Sequence, residues 1–330
     1  MPYDKPYLTY EEQLEKLKNV YNLKVTGNID FNLMFLSTVS YYDLINGYKD
    51  CFMQDDKFIN ETTLSDLFVF NVIDKKFQNI LFLQSIYVEN IFKTKMAYLI
   101  AKTRGVEVSQ YLDKAKYHSP TPTRNKKLED TINDMISIHD TCKDDPTKYY
   151  KSKHNHIPPW ILFKNVKFNT VIDLFSFLKK DEKLAIISEY SYFTTDKISD
   201  NKKIELFKNM ITIIRKFRNK IAHNYKIIGI SLDKTKLQLR DISHISPHKL
   251  LSNKDIIKRR GEKDLYAMVI SLFFLVEPIF LKLFFVQELK TFKIDGSVKY
   301  FEKCNFPNSF IDKMEKISTD LETQLSSKFN

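Results

Sequence analysis

The segment "IIRKFRNKIAHNYKI", Ile213 to Ile227, holds two of the chain's seven arginines, Arg215 and Arg218, with Asn219 and His223 close behind. Everywhere else the chain prefers lysine, which it uses forty-five times. The choice matters because the planar guanidinium matches pairs of phosphate oxygens, whereas an ammonium is a point charge. Histidine is the side chain whose ordinary pKa lets it both take and give a proton near neutrality. Together these groups supply what RNA cleavage without a metal requires. A 2′-hydroxyl loses a proton as it attacks the adjacent phosphorus, the 5′-oxygen gains one as it leaves, and the crowded phosphorus between them carries extra negative charge. His223 suits the proton transfers, Arg218 suits the charge, and Asn219 can orient either group. The same pattern also fits a solvated helix surface, where such residues need no function.

The elements around the segment decide whether these side chains share a face. Taking about 100° per residue from Arg215, Leu206, Met210, Ile213, Phe217 and Ile221 fall at about 160° to 240°. Arg218, Asn219, Ala222 and His223 fall between about −60° and +80° on the same scale. The spacing therefore predicts an amphipathic helix from about Lys202 to Ala222, with Ile211 its main exception. Asn219 and His223 are neighbours at i,i+4, and Lys226 joins their face if the helix continues.

Composition sets the wider frame. The chain has 330 residues, 43% hydrophobic and 14% aromatic, enough for a large buried core. Its six glycines are too few for the turns of a β-sandwich or barrel and too scattered for a phosphate-binding loop, so a mostly helical fold is expected. The net charge of +11 suits a polyanionic partner, although lysine-rich, asparagine-rich composition is also what an AT-rich genome produces. Cys51, Cys142 and Cys304 are isolated, which supports neither a disulfide framework nor a zinc site and fits a reducing cytoplasm. His154 and His156 lack an evident third ligand, so no metal and no cofactor is expected. The polar start, "MPYDKPYLTYEEQ", is unlike a signal peptide. The apolar run from Leu265 to Val286 is broken by Glu277, Pro278 and Lys282, so it reads as a kinked buried helix and no membrane role is expected.

Along the chain, Thr9 with Glu12 predicts a capped helix from Tyr10, and Asp30 to Leu44 a second, stopped at Asn46-Gly47. Thr63 with Asp66 opens the strongest segment, close to forty residues without Gly or Pro, ending near Lys102. The proline-rich stretch 105–157 reads as a surface insertion with a short helix at Lys126 to His139. Further helices are expected at Glu182 to Ser191, from about Glu262, and from about Pro307. "IIGISLDKTKLQL", Ile227 to Leu239, alternates β-formers around Asp233-Lys234, the pattern of one small hairpin.

The segment "RNKIAH", Arg218 to His223, resembles the R-x(4–6)-H motif of HEPN ribonucleases, including the polar residue after the arginine. "KPYLTYEEQLEKLKN" is similar to the "KPxLTxEEQ" opening of the Abi-like proteins of bacterial abortive infection, the AbiD/AbiF group. "SYYDLINGY" resembles their "NYYRLSGY", and the long segment after Thr63 their long helix, with Asp74 and Glu89 at its acidic positions. "PPWILFKNVKFNTVIDLFSFL" resembles "PxWxxxExxxFGxxSxxY", and "RNKIAHNYKI" resembles "RNxxAHHxRL". The order agrees over most of residues 5–290. Three positions depart: Asn224 stands where a second histidine is frequent, Asn165 replaces the acidic residue, and Asn169 the glycine.

The resemblance implies an all-α, HEPN-like bundle: an N-terminal helical region (1–60), a core (61–290) carrying the insertion, and a C-terminal extension (291–330). It implies a metal-independent endoribonuclease toxin of phage defence, with Arg218, Asn219 and His223 catalytic, and a small noncoding RNA that restrains it. HEPN sites are usually composite across a two-fold axis. Arg240 to His244 has the wrong spacing for a second motif, so a homodimer is implied. Arg215, Lys226, Lys258, Arg259 and Arg260 are candidate RNA contacts, the last three also readable as a solvated turn. Glu89 can orient Arg218, while Asp74 reads as a structural ion-pair partner. The rival class is a non-catalytic RNA-binding protein using the same basic surface.

Overall fold

The computed structural model describes residues 5–59, 61–292 and 296–327. The chain's first four residues, part of the start read above as unlike a signal peptide, lie outside the described residues. The fold is all-α with one two-stranded hairpin. In chain order the elements are α1 (Tyr10–Asn19), α2 (Ile29–Thr38), a π-helical turn (Tyr42–Asn46), α3 (Gly47–Phe52), β1 (Met53–Gln54), β2 (Lys57–Phe58) and α4 (Leu64–Arg104). Residues 105–157 contribute α5 (Val108–Tyr111), α6 (Pro122–Thr141) and α7 (Thr147–Lys153). Then follow α8 (Pro159–Asn165), α9 (Phe168–Ser176), α10 (Lys180–Ile187), α11 (Asp200–Ala222), α12 (Leu239–Ile245) and α13 (Asn253–Ile257). The chain closes with α14 (Leu265–Leu275), α15 (Ile279–Lys290), α16 (Ser297–Lys303) and α17 (Phe310–Ser326).

The helix starts follow the caps in the sequence. Thr9 and Glu12 form a reciprocal capping box, and so do Thr63 and Asp66. From Thr63 the chain runs as one continuous helix of 41 residues to Gly105, whose φ of 100° ends it. At this φ any side chain would be strained, which is why glycine suits the position; a Cβ there would also displace the flexible end of Gln110.

The centre of the molecule is α4, α11 and α14, each packed on the other two. Every residue of α14 is buried, which accounts for its unbroken apolar sequence. The apolar run is two helices rather than one kinked helix: Pro278 lacks the N–H to continue the ladder, so α15 starts anew. No helix of the described residues is long and apolar enough to cross a membrane.

Three expectations need correction. The second helix ends at Thr38, where Val39 turns extended, and Asn46-Gly47 does not stop it: the π-helical turn runs through these residues into α3. The hairpin lies at Met53–Phe58, turning through Asp55 and Asp56 at positive φ, and not at Ile227 to Leu239. In the latter segment the Leu232 and Leu237 amides donate to the Lys263 and Glu262 carbonyls, so its ladder donors are taken by another loop. Ile211, the exception on the α11 wheel, is fully buried together with Ile214. Since α11 packs against α9, α10, α4 and α14, its apolar arc is wider than one facing helix would need.

Candidate active site

The site forms where α11 ends against the middle of α4. His223 caps the helix; Asn224 then takes φ 60°, its amide donating to Ile221 O, while the Tyr225 amide donates to Lys220 O. This is the paired-bond arrangement that closes helices through a left-handed residue. The helix stops here, so Lys226 leaves its face; the register predicted for a longer helix does not hold. Lys226 instead stands 3.9 Å from Asp50 Oδ2 on α3.

Two side chains of α4 fasten this turn. Lys75 Nζ donates to Asn224 O at 3.0 Å, and Gln78 Nε2 donates to Tyr225 O at 3.1 Å. Gln78 also donates to Asp74 Oδ2 at 2.8 Å. Asp74 has no exposed surface, and the Tyr48 and Tyr300 hydroxyls complete its shell at 3.1 and 2.7 Å. Burial pushes its carboxyl above the ordinary carboxylate value, against the pull of these donors and of Lys75. Asp74, expected as a structural ion-pair partner, has instead two tyrosines and a glutamine as its hydrogen-bond partners.

Arg218 is fixed from the same helix. Its Nη2 lies 3.1 Å from Glu89 Oε2, and Lys93 Nζ holds the other oxygen of that carboxylate at 2.8 Å. The guanidinium sits 6.0 Å from the Phe82 ring centroid, and its Nη1 donates to Asn219 Oδ1 at 3.2 Å. Nε of Arg218 is buried without a hydrogen-bond partner among the described residues. The arginine is thus oriented and partly desolvated, yet still has 30% of its side chain exposed. His223 is exposed, and the Tyr225 ring lies near it, 6.4 Å between centroids. Asn219 links the two residues, through its side chain to Arg218 and through its carbonyl to the His223 amide.

The remaining candidates divide. Arg215 is half-buried, its Nε without a hydrogen-bond partner among the described residues, and burial lowers its pKa while Asp173 on α9 opposes the shift. The acid acting on Arg215 thus lies on α9, whereas the acid that holds Arg218 is Glu89 on α4. Arg260 is tied to buried Asp255 at 3.4 Å and to Asn305, whereas Lys258 and Arg259 are exposed. No group of three or more His, Cys, Asp or Glu among the described residues is placed to hold a metal ion.

The residues around the turn coincide with a known pattern: residues 34–229 match the model of the family described as Abi-like protein. The chain belongs to the Abi-like family. Membership carries a coarse function, a role in abortive infection. No curated protein and no solved structure matches the chain.

The geometry of this Abi-like chain shows what Asn224 does. The position requires a positive φ, which asparagine adopts more readily than most residues. It also shows what the sequence did not. Phe82, Lys75 and Gln78 meet α11 or its closing turn only through tertiary packing, and Lys93 reaches the site through Glu89 on its own helix. The one available signal was spacing on α4: Lys93 follows Glu89 by four residues, and Gln78 follows Asp74 by four.

Proposed function

We propose that this Abi-like protein is a metal-independent HEPN endoribonuclease, a toxin of phage defence that cleaves RNA by 2′-hydroxyl attack. The observation that carries the reading is the Arg218–Asn219–His223 arrangement at the end of α11. Glu89 aims the guanidinium, Asn219 links it to the helix cap, and the exposed imidazole is free to meet a substrate. Arg218 would hold the phosphoryl oxygens and His223 would move a proton at the 2′- or 5′-oxygen.

One imidazole cannot conveniently serve both oxygens of an in-line displacement, so the site reads as half of a composite one. A second copy would supply the other His223, in a homodimer. In support, Leu83, Ile86 and Tyr87 on α4, beside Phe82, and Phe280 and Phe284 on α15 are exposed large apolar residues. Four of the lining residues of a cleft of ≈410 Å3 are Leu83, Tyr87, Leu281 and Phe284. A noncoding RNA that restrains the toxin would compete for the same basic surface.

The rival reading is an RNA-binding protein without catalysis. Labelled RNA and the purified full chain in excess EDTA separate the two. Cleavage that disappears in His223→Ala supports the enzyme; tight binding without cleavage, unchanged by His223→Ala, refutes it.

A further inference from the structure

The segment that leaves α11 lines two clefts in succession. Asn224 and Lys226 line the first together with Lys75, Ser40 and Asp43, in a space of ≈270 Å3. Gly229, Ile230 and Ser231 line the second, whose cations are Arg259, Lys263 and Lys303, in ≈250 Å3. Helix α3 lends Tyr48 to the first cleft and meets two cations. At Asp50 it meets Lys226, 3.9 Å away, and at Phe52 it meets Lys299, whose Nζ is 3.9 Å from the ring centroid. Lys226, Lys299 and Lys303 all act on the charge of the buried Cys51 thiol of the same helix. Lys303 follows Lys299 by four residues on α16, so the two stand on one face, about 6 Å apart along the axis.

These cations are available. Lys299, Lys303, Arg259 and Lys263 are exposed, and no carboxylate of the described residues pairs with them. Two acids share the second cleft with three cations: Glu262, and Asp264, which is committed to the Gly261 and Ala267 amides and to Asn305. Tyr225, 58% exposed at the turn itself, offers a ring on which a base can stack.

We propose that Lys75, Lys226, Lys299, Lys303, Arg259 and Lys263 form one track that carries the phosphate backbone of single-stranded RNA away from the His223 turn, across α3, to the loop at Arg259. The track rests on the ribonuclease reading for its direction, and it sets the substrate class: strands long enough to reach the second cleft bind better than strands that fill only the first. Arg260 takes no part, being held by Asp255.

The test is fluorescence anisotropy with a four-nucleotide and a fifteen-nucleotide single-stranded RNA, in the full chain carrying His223→Ala so that no cleavage intervenes. Adding Arg259→Gln and Lys303→Gln should weaken the longer strand about tenfold or more at 0.1 M salt. The slope of log affinity against log salt should fall by about 1.4, since each phosphate contact on a single strand contributes about 0.7. The shorter strand should bind as before, and the off-track pair Lys126→Gln, Lys148→Gln should change nothing. An unchanged slope in the Arg259/Lys303 variant, with binding still weakened by Lys226→Gln, overturns the track and leaves the RNA reading standing. Equal weakening by the Lys126/Lys148 pair also overturns the track. No binding of the fifteen-nucleotide strand by the chain overturns both.

Discussion

Glu89 on α4 and Arg218 on α11 meet at 3.1 Å, and Lys93 holds the same carboxylate from the other side at 2.8 Å. The acid is largely buried, so it orients the guanidinium rather than merely screening it. A phosphate approaching Arg218 meets a group already aimed, which is what stabilising a transition state demands. Glu89→Gln keeps the shape and removes the charge. We expect cleavage to fall about tenfold in kcat, near 1.4 kcal/mol, with KM unchanged or lower. Glu89→Ala should in addition lower stability by about 1–3 kcal/mol, because the Lys93 ammonium is left without its partner. Single-turnover kinetics and thermal unfolding read the two effects separately.

Asn224 predicts a different split. Its φ of 60° and its two backbone bonds make it a helix-closing residue, not a catalytic one. Asn224→Gly should leave stability and cleavage nearly unchanged. Asn224→Val should lose about 1–2 kcal/mol of stability, since a β-branched residue is disfavoured in this conformation. Equal effects of glycine and valine on melting temperature would show that backbone conformation is not what selects the residue.

Neighbouring arginines should behave unlike each other. Arg260 is paired with Asp255, so Arg260→Gln should lower stability by about 1 kcal/mol and leave the salt dependence of RNA binding alone. Arg259 is exposed, so Arg259→Gln should leave stability alone and reduce the salt slope by about 0.7. Denaturant melts and anisotropy titrations over salt check both halves.

Lys282 is buried against the Tyr192 ring, with Nζ 3.8 Å from its centroid and 3.4 Å from Glu277 Oε1. Burial lowers its pKa to about 8 against an ordinary 10.5, with Glu277 opposing. The folded chain therefore releases this proton at a lower pH than the unfolded chain does. Its contribution to stability should rise between those two values, by up to about 3 kcal/mol. Lys282→Met should abolish that rise and match or exceed the native chain's stability at pH 7. Urea unfolding at pH 7 and pH 10 measures it; an identical pH dependence in both proteins would sink the assignment.

Much of the fold was legible in local signals. Two capping boxes set the starts of α1 and α4, and the apolar period of α4 ran unbroken from Leu64 to the glycine that ends it. The contacts of Arg218 with Glu89 and Asn219 were legible too, because helical spacing and an acid among apolar neighbours are both written in the chain. What was missed depends on partners distant in sequence. The alternation after Ile227 resembles a hairpin, yet its amides bond the Glu262–Lys263 loop. Lys226 keeps helical register only on paper, since the Lys75 and Gln78 bonds to residues 224 and 225 fix a turn there. Ile211 looked misplaced because a single-face wheel cannot represent a helix packed on several sides.

The central claim, 2′-hydroxyl attack at Arg218 and His223, is tested most directly by the ends of the cut RNA. A labelled single strand is incubated with the full chain in excess EDTA, and the product termini are determined for the native protein, His223→Ala and Arg218→Ala. The account predicts 2′,3′-cyclic phosphate and 5′-hydroxyl ends from the native protein, with cleavage reduced about 100-fold or more in each variant. Ends of 3′-hydroxyl and 5′-phosphate, or cleavage that persists in His223→Ala, would contradict it.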